Sequence, residues 1–190
     1  MADSSIRLSK YISLLLRHRP ELGDLELDAH GWARLDDLVR ACVAAGHATG
    51  AGDVLDVVAE SDKQRFELSP GGRSIRAAQG HSIDVDLGLT AIEPPVTLFH
   101  GTVRRFLDRI VTEGLRPMGR SHVHLSADTE TARRVGLRRG EPVVLRVAAD
   151  AMFDDGFQFF RSTNGVWLVD HVPGRYLDVL DPSTGVDHVV

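Results

Sequence analysis

Apolar residues recur along the chain at spacings that predict its elements. Ile6, Ile12, Leu15 and Leu16, with Leu8 and Tyr11 between them, fall on a helical period over 6–18, and Pro20 stops that helix because proline has no amide to donate. Leu25-Glu26-Leu27-Asp28 alternates as a short strand does and runs into the turn Ala29-His30-Gly31. Leu35, Leu38, Val39, Cys42 and Val43 mark a second helix with Gly46 as its cap, and Val54, Leu55 and Val58 mark a third over 51–59. Two extended segments, 64–68 and 74–77, flank Ser69-Pro70-Gly71-Gly72, whose composition predicts a hairpin turn.

Three helices followed by a hairpin is the order of a winged helix, a module that often binds nucleic acid, although fold alone does not fix that role. Past 83–87 the stiff Glu93-Pro94-Pro95 predicts a boundary between residues 1–92 and 93–190. Beyond it, strands are expected at 96–99, 122–126, 142–148, 158–161, 166–169 and 176–180, with helices over 103–113 and 129–135. The second half is therefore expected to be α+β. No internal repeat or low-complexity tract is visible.

A length of 190 residues with 43% hydrophobic side chains is enough to bury a core, and a net charge of −5 is too small to keep such a chain expanded. No apolar run approaches the roughly 20 residues that cross a bilayer. Met1 to Arg7 is too polar for a secretory signal, and Cys42, the only cysteine, can form neither an internal disulfide nor a thiolate metal cluster. A reducing, cytoplasmic setting is expected. Of 22 basic residues, all but Lys10 and Lys63 are Arg. A GC-rich genome accounts for that bias, yet guanidinium forks also grip phosphates at two points. Residues 1–92 carry 10 basic and 14 acidic side chains and residues 93–190 carry 12 and 13, so any nucleic-acid contact must be a focused patch.

No P-loop, no Gly-x-Gly-x-x-Gly and no Cys-x-x-Cys is present. His122 and His124 would share one face of a strand without a third ligand nearby, so no metal is expected. Arg17-His18-Arg19-Pro20 places cations at a helix end, where they suit the helix dipole or a phosphate. Arg76, on the second hairpin strand before Gln79-Gly80-His81-Ser82, reads as a phosphate contact or as a solvated strand edge. Phe99-His100-Gly101-Thr102 is expected where a strand meets a helix, with amides and a hydroxyl for an anion or ribose, or with Thr102 as a simple cap. His122-Val123-His124-Leu125-Ser126 and the arginines of 133–140 complete the candidates, the latter as a phosphate seat or a solvated helix end. Phe157 to Phe160 and Trp167 suit a core as well as a base-stacking platform.

The joint order of these motifs resembles the RNA 2'-phosphotransferase family, over about Leu8 to Leu177. The residues that carry the resemblance are Leu8-Ser9-Lys10 with Leu15-Leu16-Arg17-His18, Asp28-Ala29-His30-Gly31-Trp32, Lys63-Gln64-Arg65-Phe66, and Ile75-Arg76-Ala77 with Gln79-Gly80-His81-Ser82. In the second half they are His100-Gly101-Thr102, His122 to Ser126, Val135-Gly136-Leu137-Arg138, and Asn164-Gly165-Val166-Trp167-Leu168. The resemblance implies an α+β protein with a winged-helix-like RNA- and phosphate-binding lobe at 1–92 and an ADP-ribosyltransferase-like NAD-binding lobe at 93–190. It implies removal of an internal 2'-phosphate from a tRNA-like RNA with NAD as co-substrate. The route runs through an RNA-2'-phospho-ADP-ribose intermediate to 2'-hydroxyl RNA, nicotinamide and ADP-ribose 1'',2''-cyclic phosphate.

By the same carry-over, Arg17, His18, Arg76 and Arg138 form the catalytic set, with Arg17 and Arg76 on the transferred phosphate, His18 moving a proton or binding the phosphate, and Arg138, beside Arg139, on the NAD pyrophosphate or the phosphate bridging to it. His100, Gly101, Thr102, His124, Ser126 and Val166 would hold NAD, with His124 and Val166 at the second and third signature positions and no acid at the third. An acceptor that is already anionic needs none. A monomer without a metal is expected. The alternatives are an ADP-ribosyltransferase acting on phosphorylated nucleic-acid ends and a non-catalytic winged-helix regulator that senses a nucleotide.

Overall fold

The computed structural model describes residues 2–61 and 64–180, so Lys63 of the Lys63-Gln64-Arg65-Phe66 motif lies outside the described residues. Contacts divide the chain into two compact units. The first holds the described part of 1–89 with Gly119–Ser121 and Ser162–Asn164, and the second holds Thr90–Met118, His122–Arg161 and the described residues from Gly165 onward.

In the first unit, helix α1 (Ala2–Arg17) buries Leu8, Ile12, Leu15 and Leu16, the stripe its period predicts. Helices α2 (Leu35–Ala44) and α3 (Ala51–Ala59) add Leu38, Cys42 and Val54 to the same core. The expected strand at 25–28 is absent. Leu25 is buried in that core, but Asp28 closes a turn instead, its Oδ1 accepting the amides of His30 and Trp32, each at 2.9 Å. A short strand β1 (Ala33–Arg34) takes the sheet position, pairing antiparallel with β3 (Ser74–Ala77), which also pairs with β2 (Phe66–Leu68). Strand β3 is central in the order β1-β3-β2, so Arg76 stands on no solvated edge.

In the second unit, β4 (Thr97–Val103) pairs antiparallel over its whole length with β6 (Pro142–Ala148), and β6 pairs with β9 (Leu177–Leu180). A second antiparallel sheet has the order β5 (Val123–Leu125), β8 (Trp167–Val169), β7 (Phe160–Arg161). Helices α4 (Leu107–Glu113), α5 (Thr129–Leu137) and α6 (Ala149–Asp154) complete an α+β arrangement, with Asp128 Oδ1 capping α5 through the Thr131 amide at 2.6 Å. Leu98, Leu145, Met152, Phe159 and Trp167 are core residues here, so Phe159 and Trp167 are no stacking platform.

The Gly101-Thr102 pair departs from expectation, because it lies inside β4 and caps no helix. Strand β6, apolar at 143–145 and 147, pairs with β4 along its whole length, Gly101 faces Val144, and Thr102 is buried. Helix α5 lies so close that a Cβ on Gly101 would stand 1.8 Å from the Ala132 carbonyl oxygen. Gly101 is thus demanded by backbone packing. Because a main-chain carbonyl cannot swing aside, Gly101→Ala should cost at least the upper part of the roughly 1–3 kcal/mol typical of overpacking. Thermal unfolding followed by circular dichroism would register it, and an unchanged Tm would mean that α5 slides freely on β4.

Candidate functional site

The first unit gathers cations at the end of α1. Arg17 occupies the last turn, where the apolar stripe of the helix draws its stem toward the core. Its Nη2 donates to the Arg65 carbonyl at 3.3 Å, while Nε is buried with no hydrogen-bond partner among the described residues. Burial, then the charges of Arg120 and Arg65, push the Arg17 guanidinium down to about 10, so it stays protonated at neutral pH. No carboxylate pairs with Arg17 among the described residues. A buried, charged donor aimed at nothing is costly, and an anion is its natural partner.

His18 stands beside it, Nδ1 within 2.8 Å of Ser82 Oγ. Burial, Arg17 and Arg120 hold its pKa below the ordinary imidazole value, so the ring is neutral at pH 7. The Ser82 amide donates to the Arg17 carbonyl at 2.9 Å, and the preceding carbonyl, that of His81, accepts from the Ser121 amide at 3.1 Å and from Ser121 Oγ at 3.4 Å. Residues 81–82 thereby tie the end of α1 to the segment that carries Arg120. His81 is 3% exposed, its Nε2 has no partner among the described residues, and burial followed by Arg17, His18 and Arg76 drives its pKa down to about 4.

Arg76 is fully occupied. Its Nε and Nη2 donate to Glu67 Oε2 at 3.0 and 2.9 Å, and Nη1 donates to the carbonyls of Leu87 at 3.2 Å and His30 at 3.4 Å. The guanidinium lies 4.6 Å over the Trp32 ring. Glu67 Oε1 in turn accepts from Thr163 Oγ1 at 2.5 Å. Only 13% of the Arg76 side chain is exposed, so its removal is no surface change. The structure places Arg138 at the C-cap of α5 in the second unit, exposed like Arg133, Arg134 and Arg139. The cations beside Arg17 are Arg65 and Arg120. The first sits inside a motif the sequence singled out, and the second, two residues before His122, offers no signal among twenty arginines.

In the second unit, a bridge between Phe99 and Ser126, with amide to carbonyl distances of 2.9 and 2.8 Å, joins β4 to the end of β5. It brings His100, Gly101, His124 and Ser126 together, all half-buried, while Val166 directly precedes Trp167, the partner of Leu125. His100 Nδ1 lies 3.1 Å from the His124 carbonyl. A carbonyl only accepts, so Nδ1 carries the proton of the neutral ring and Nε2 is the acceptor, which suits a hydroxyl donor such as a ribose. Among the described residues no group of His, Cys, Asp and Glu could hold a metal ion.

Two outcomes follow from this geometry. Arg76→Ala should destabilise the protein by roughly 3 kcal/mol, the scale for breaking a buried pair. Adding Glu67→Gln should restore part of that loss in urea unfolding, and additive losses would show the pair to be uncoupled. His81 binds a proton more readily unfolded than folded, so its contribution is present above pH 6.5 and is lost as pH falls toward about 4. At about 1.4 kcal/mol per pH unit, that window corresponds to up to roughly 3 kcal/mol. Equilibrium unfolding at pH 7 and 4.5 should show a smaller acid loss in His81→Leu than in wild type, and equal losses would place the imidazole in water.

The RNA 2'-phosphotransferase, Tpt1 / KptA family model matches residues 3–171. Among curated relatives, a protein of Agrobacterium fabrum is 55% identical over 180 residues, covering 95% of this chain and 97% of its own length. One from Hahella chejuensis is 53% identical over 175 residues, 92% of this chain and 94% of its own. One from Streptomyces coelicolor is 53% identical over 175 residues, 92% and 95% of the two chains. Each bears the name Probable RNA 2'-phosphotransferase. With most of its length matched by the family model and by relatives of about half identity, the chain belongs to the RNA 2'-phosphotransferase family.

Proposed function

We propose that this protein removes an internal 2'-phosphate from RNA by transferring it to NAD, releasing nicotinamide and ADP-ribose 1'',2''-cyclic phosphate. The observation that carries the proposal is the Arg17 guanidinium, its buried Nε without a partner and its charge without a carboxylate among the described residues, with Arg65 and Arg120 nearby. A phosphate dianion satisfies that arrangement at once. In this reading the first unit is the winged-helix-like, phosphate-binding lobe, and Arg17, Arg65 and Arg120 grip the 2'-phosphate. Guanidinium keeps its charge through the reaction and presents two donors to each phosphate. Arg76 is then a positioning residue, fixing Trp32 and the 163 loop through Glu67.

The second unit is proposed to be the ADP-ribosyltransferase-like lobe that binds NAD. His100 and Ser126 would hold ribose hydroxyls, with the Gly101 backbone, Thr102, His124 and Val166 forming the floor, and Arg138 would serve the pyrophosphate from the end of α5. Bound there, NAD supplies an electrophilic ribose carbon with a neutral leaving group. The work left to the protein is alignment of two anions that otherwise repel, and fixed cations provide it. His18, neutral before the substrate binds, is placed to hand a proton to the RNA 2'-oxygen as the phosphate leaves it.

The deciding experiment is incubation with NAD and a short RNA carrying one internal 2'-phosphate, with products resolved by mass. Loss of the phosphate together with the cyclic product is expected; ADP-ribose retained on phosphorylated RNA ends would favour the end-modifying reaction instead, and unchanged RNA would overturn both. Arg65→Ala should lower kcat by about 10²–10³, the scale of losing one preorganised donor. Its Tm should not fall, because a like charge beside Arg17 has been removed. A drop in Tm with activity kept would make Arg65 structural.

A further inference from the structure

We infer that the cleft along the outer face of α1 seats the RNA strand flanking the 2'-phosphate, with Lys10 holding a neighbouring phosphodiester. The inference rests on the RNA substrate proposed above. In the first unit a cleft of about 500 Å³ is lined by Ser9, Lys10 and Ser13 and continues to His18 and Arg65, with Glu60 on the wall from α3. Helical geometry makes this one track. Ser9 and Ser13 are one turn apart, as are Lys10, Leu14 and His18 in succession, all turned away from the buried stripe of Leu8, Ile12, Leu15 and Leu16.

His18 and Arg65 are the groups that meet the 2'-phosphate at one end. An internal 2'-phosphate sits on a polymer, so the strand must leave that end along some surface, and the cleft is continuous with it. Lys10 lies eight residues before His18, roughly 12 Å along the helix axis, within reach of the next phosphates of a short strand. Four serine hydroxyls, of Ser5, Ser9, Ser13 and Ser61, and the Lys10 ammonium face the cleft beside Ile6, Leu14 and Val57, and no Phe, Tyr or Trp is among the residues that form it. Such a surface follows a backbone and does not read bases.

The residue type at position 10 is itself informative. In a chain where 20 of 22 basic side chains are Arg, position 10 is Lys, a compact charge on a flexible stem. Lys10 is exposed, and no carboxylate pairs with it among the described residues. Glu60 also lines the cleft, and its charge keeps the grip on phosphodiesters weak. RNA that has lost its 2'-phosphate is then free to leave.

The test compares Lys10→Ala with wild type on two substrates, an oligonucleotide with one internal 2'-phosphate and a nucleoside 2'-phosphate that has no phosphodiester. The expected result is a KM raised about tenfold for the oligonucleotide with kcat kept, no change confined to the nucleoside substrate, and recovery in Lys10→Arg. An unchanged oligonucleotide KM, or equal losses on both substrates, would overturn the inference. Binding of an oligonucleotide without any 2'-phosphate gives a readout independent of turnover. The slope of log K against log salt should shrink by about 0.7 in Lys10→Ala, the increment for one phosphate contact on a single strand. If wild type turns over neither substrate, the phosphotransfer proposal fails while this slope still decides the cleft; an equal slope in both proteins, or no RNA binding at all, overturns it.

Discussion

The convergence of cations at the end of α1 is the constraint on which the first unit is built. Arg17 Nε is buried, Arg65 and Arg120 lie near enough to depress the guanidinium's pKa, and no carboxylate pairs with Arg17 among the described residues. Like charges repel more strongly away from water, so this arrangement opposes folding on its own. What holds it is the apolar stripe of α1. Leu8, Ile12, Leu15 and Leu16 are buried, each contributing on the order of 2 kcal/mol, and they fix the helix whose last turn carries Arg17.

Arg17 is oriented by a main-chain group, and that choice preserves its charge. A carbonyl can accept from a guanidinium without cancelling it, as the Arg65 carbonyl does for Arg17. The segment 81–82 bonds to the Arg17 carbonyl on one side and to the amide and hydroxyl of Ser121 on the other, next to Arg120. Arg76 is treated in the opposite way. Glu67 neutralises it, and the carbonyls of His30 and Leu87 with the Trp32 face complete its shell. The same residue type thus stands in two settings, separated by the presence of a carboxylate.

That separation explains what the sequence could reveal. The helical period over 6–18, the hairpin around Ser69-Pro70-Gly71-Gly72 and the strand 142–148 were legible because burial imposes a period on them. The strand expected at 25–28 failed because alternating burial there comes from Leu25 docking on the core with no strand beside it, while Asp28 drew the backbone into a turn. Gly101 and Thr102 suggested a helix cap because the close approach of α5 is a tertiary fact, invisible from neighbouring residues. Arg17 and His18 were legible from their place at a helix end. Arg65 was marked only as part of the Lys63-Gln64-Arg65-Phe66 motif and Arg120 not at all, since what sets them apart is proximity to Arg17 across long separations in sequence.

The two histidines of the cluster follow from its burial and charge. Burial comes first, and Arg17 with Arg120 at His18, and Arg17, His18 and Arg76 at His81, would make protonation add like charge, so both rings are neutral at pH 7. Arrival of a phosphate dianion reverses the local field, and His18 then binds a proton more readily than before. His81, the more deeply buried of the two, keeps the greater desolvation cost and stays neutral. Under the proposed function the substrate would therefore charge its own proton donor, and an acid placed to fix the protonation of His18 in advance would weaken the proposed grip of Arg17 on the phosphate. A neutral imidazole held by the Ser82 hydroxyl avoids that conflict, because a hydroxyl can accept from the ring or donate to it and so tolerates both protonation states.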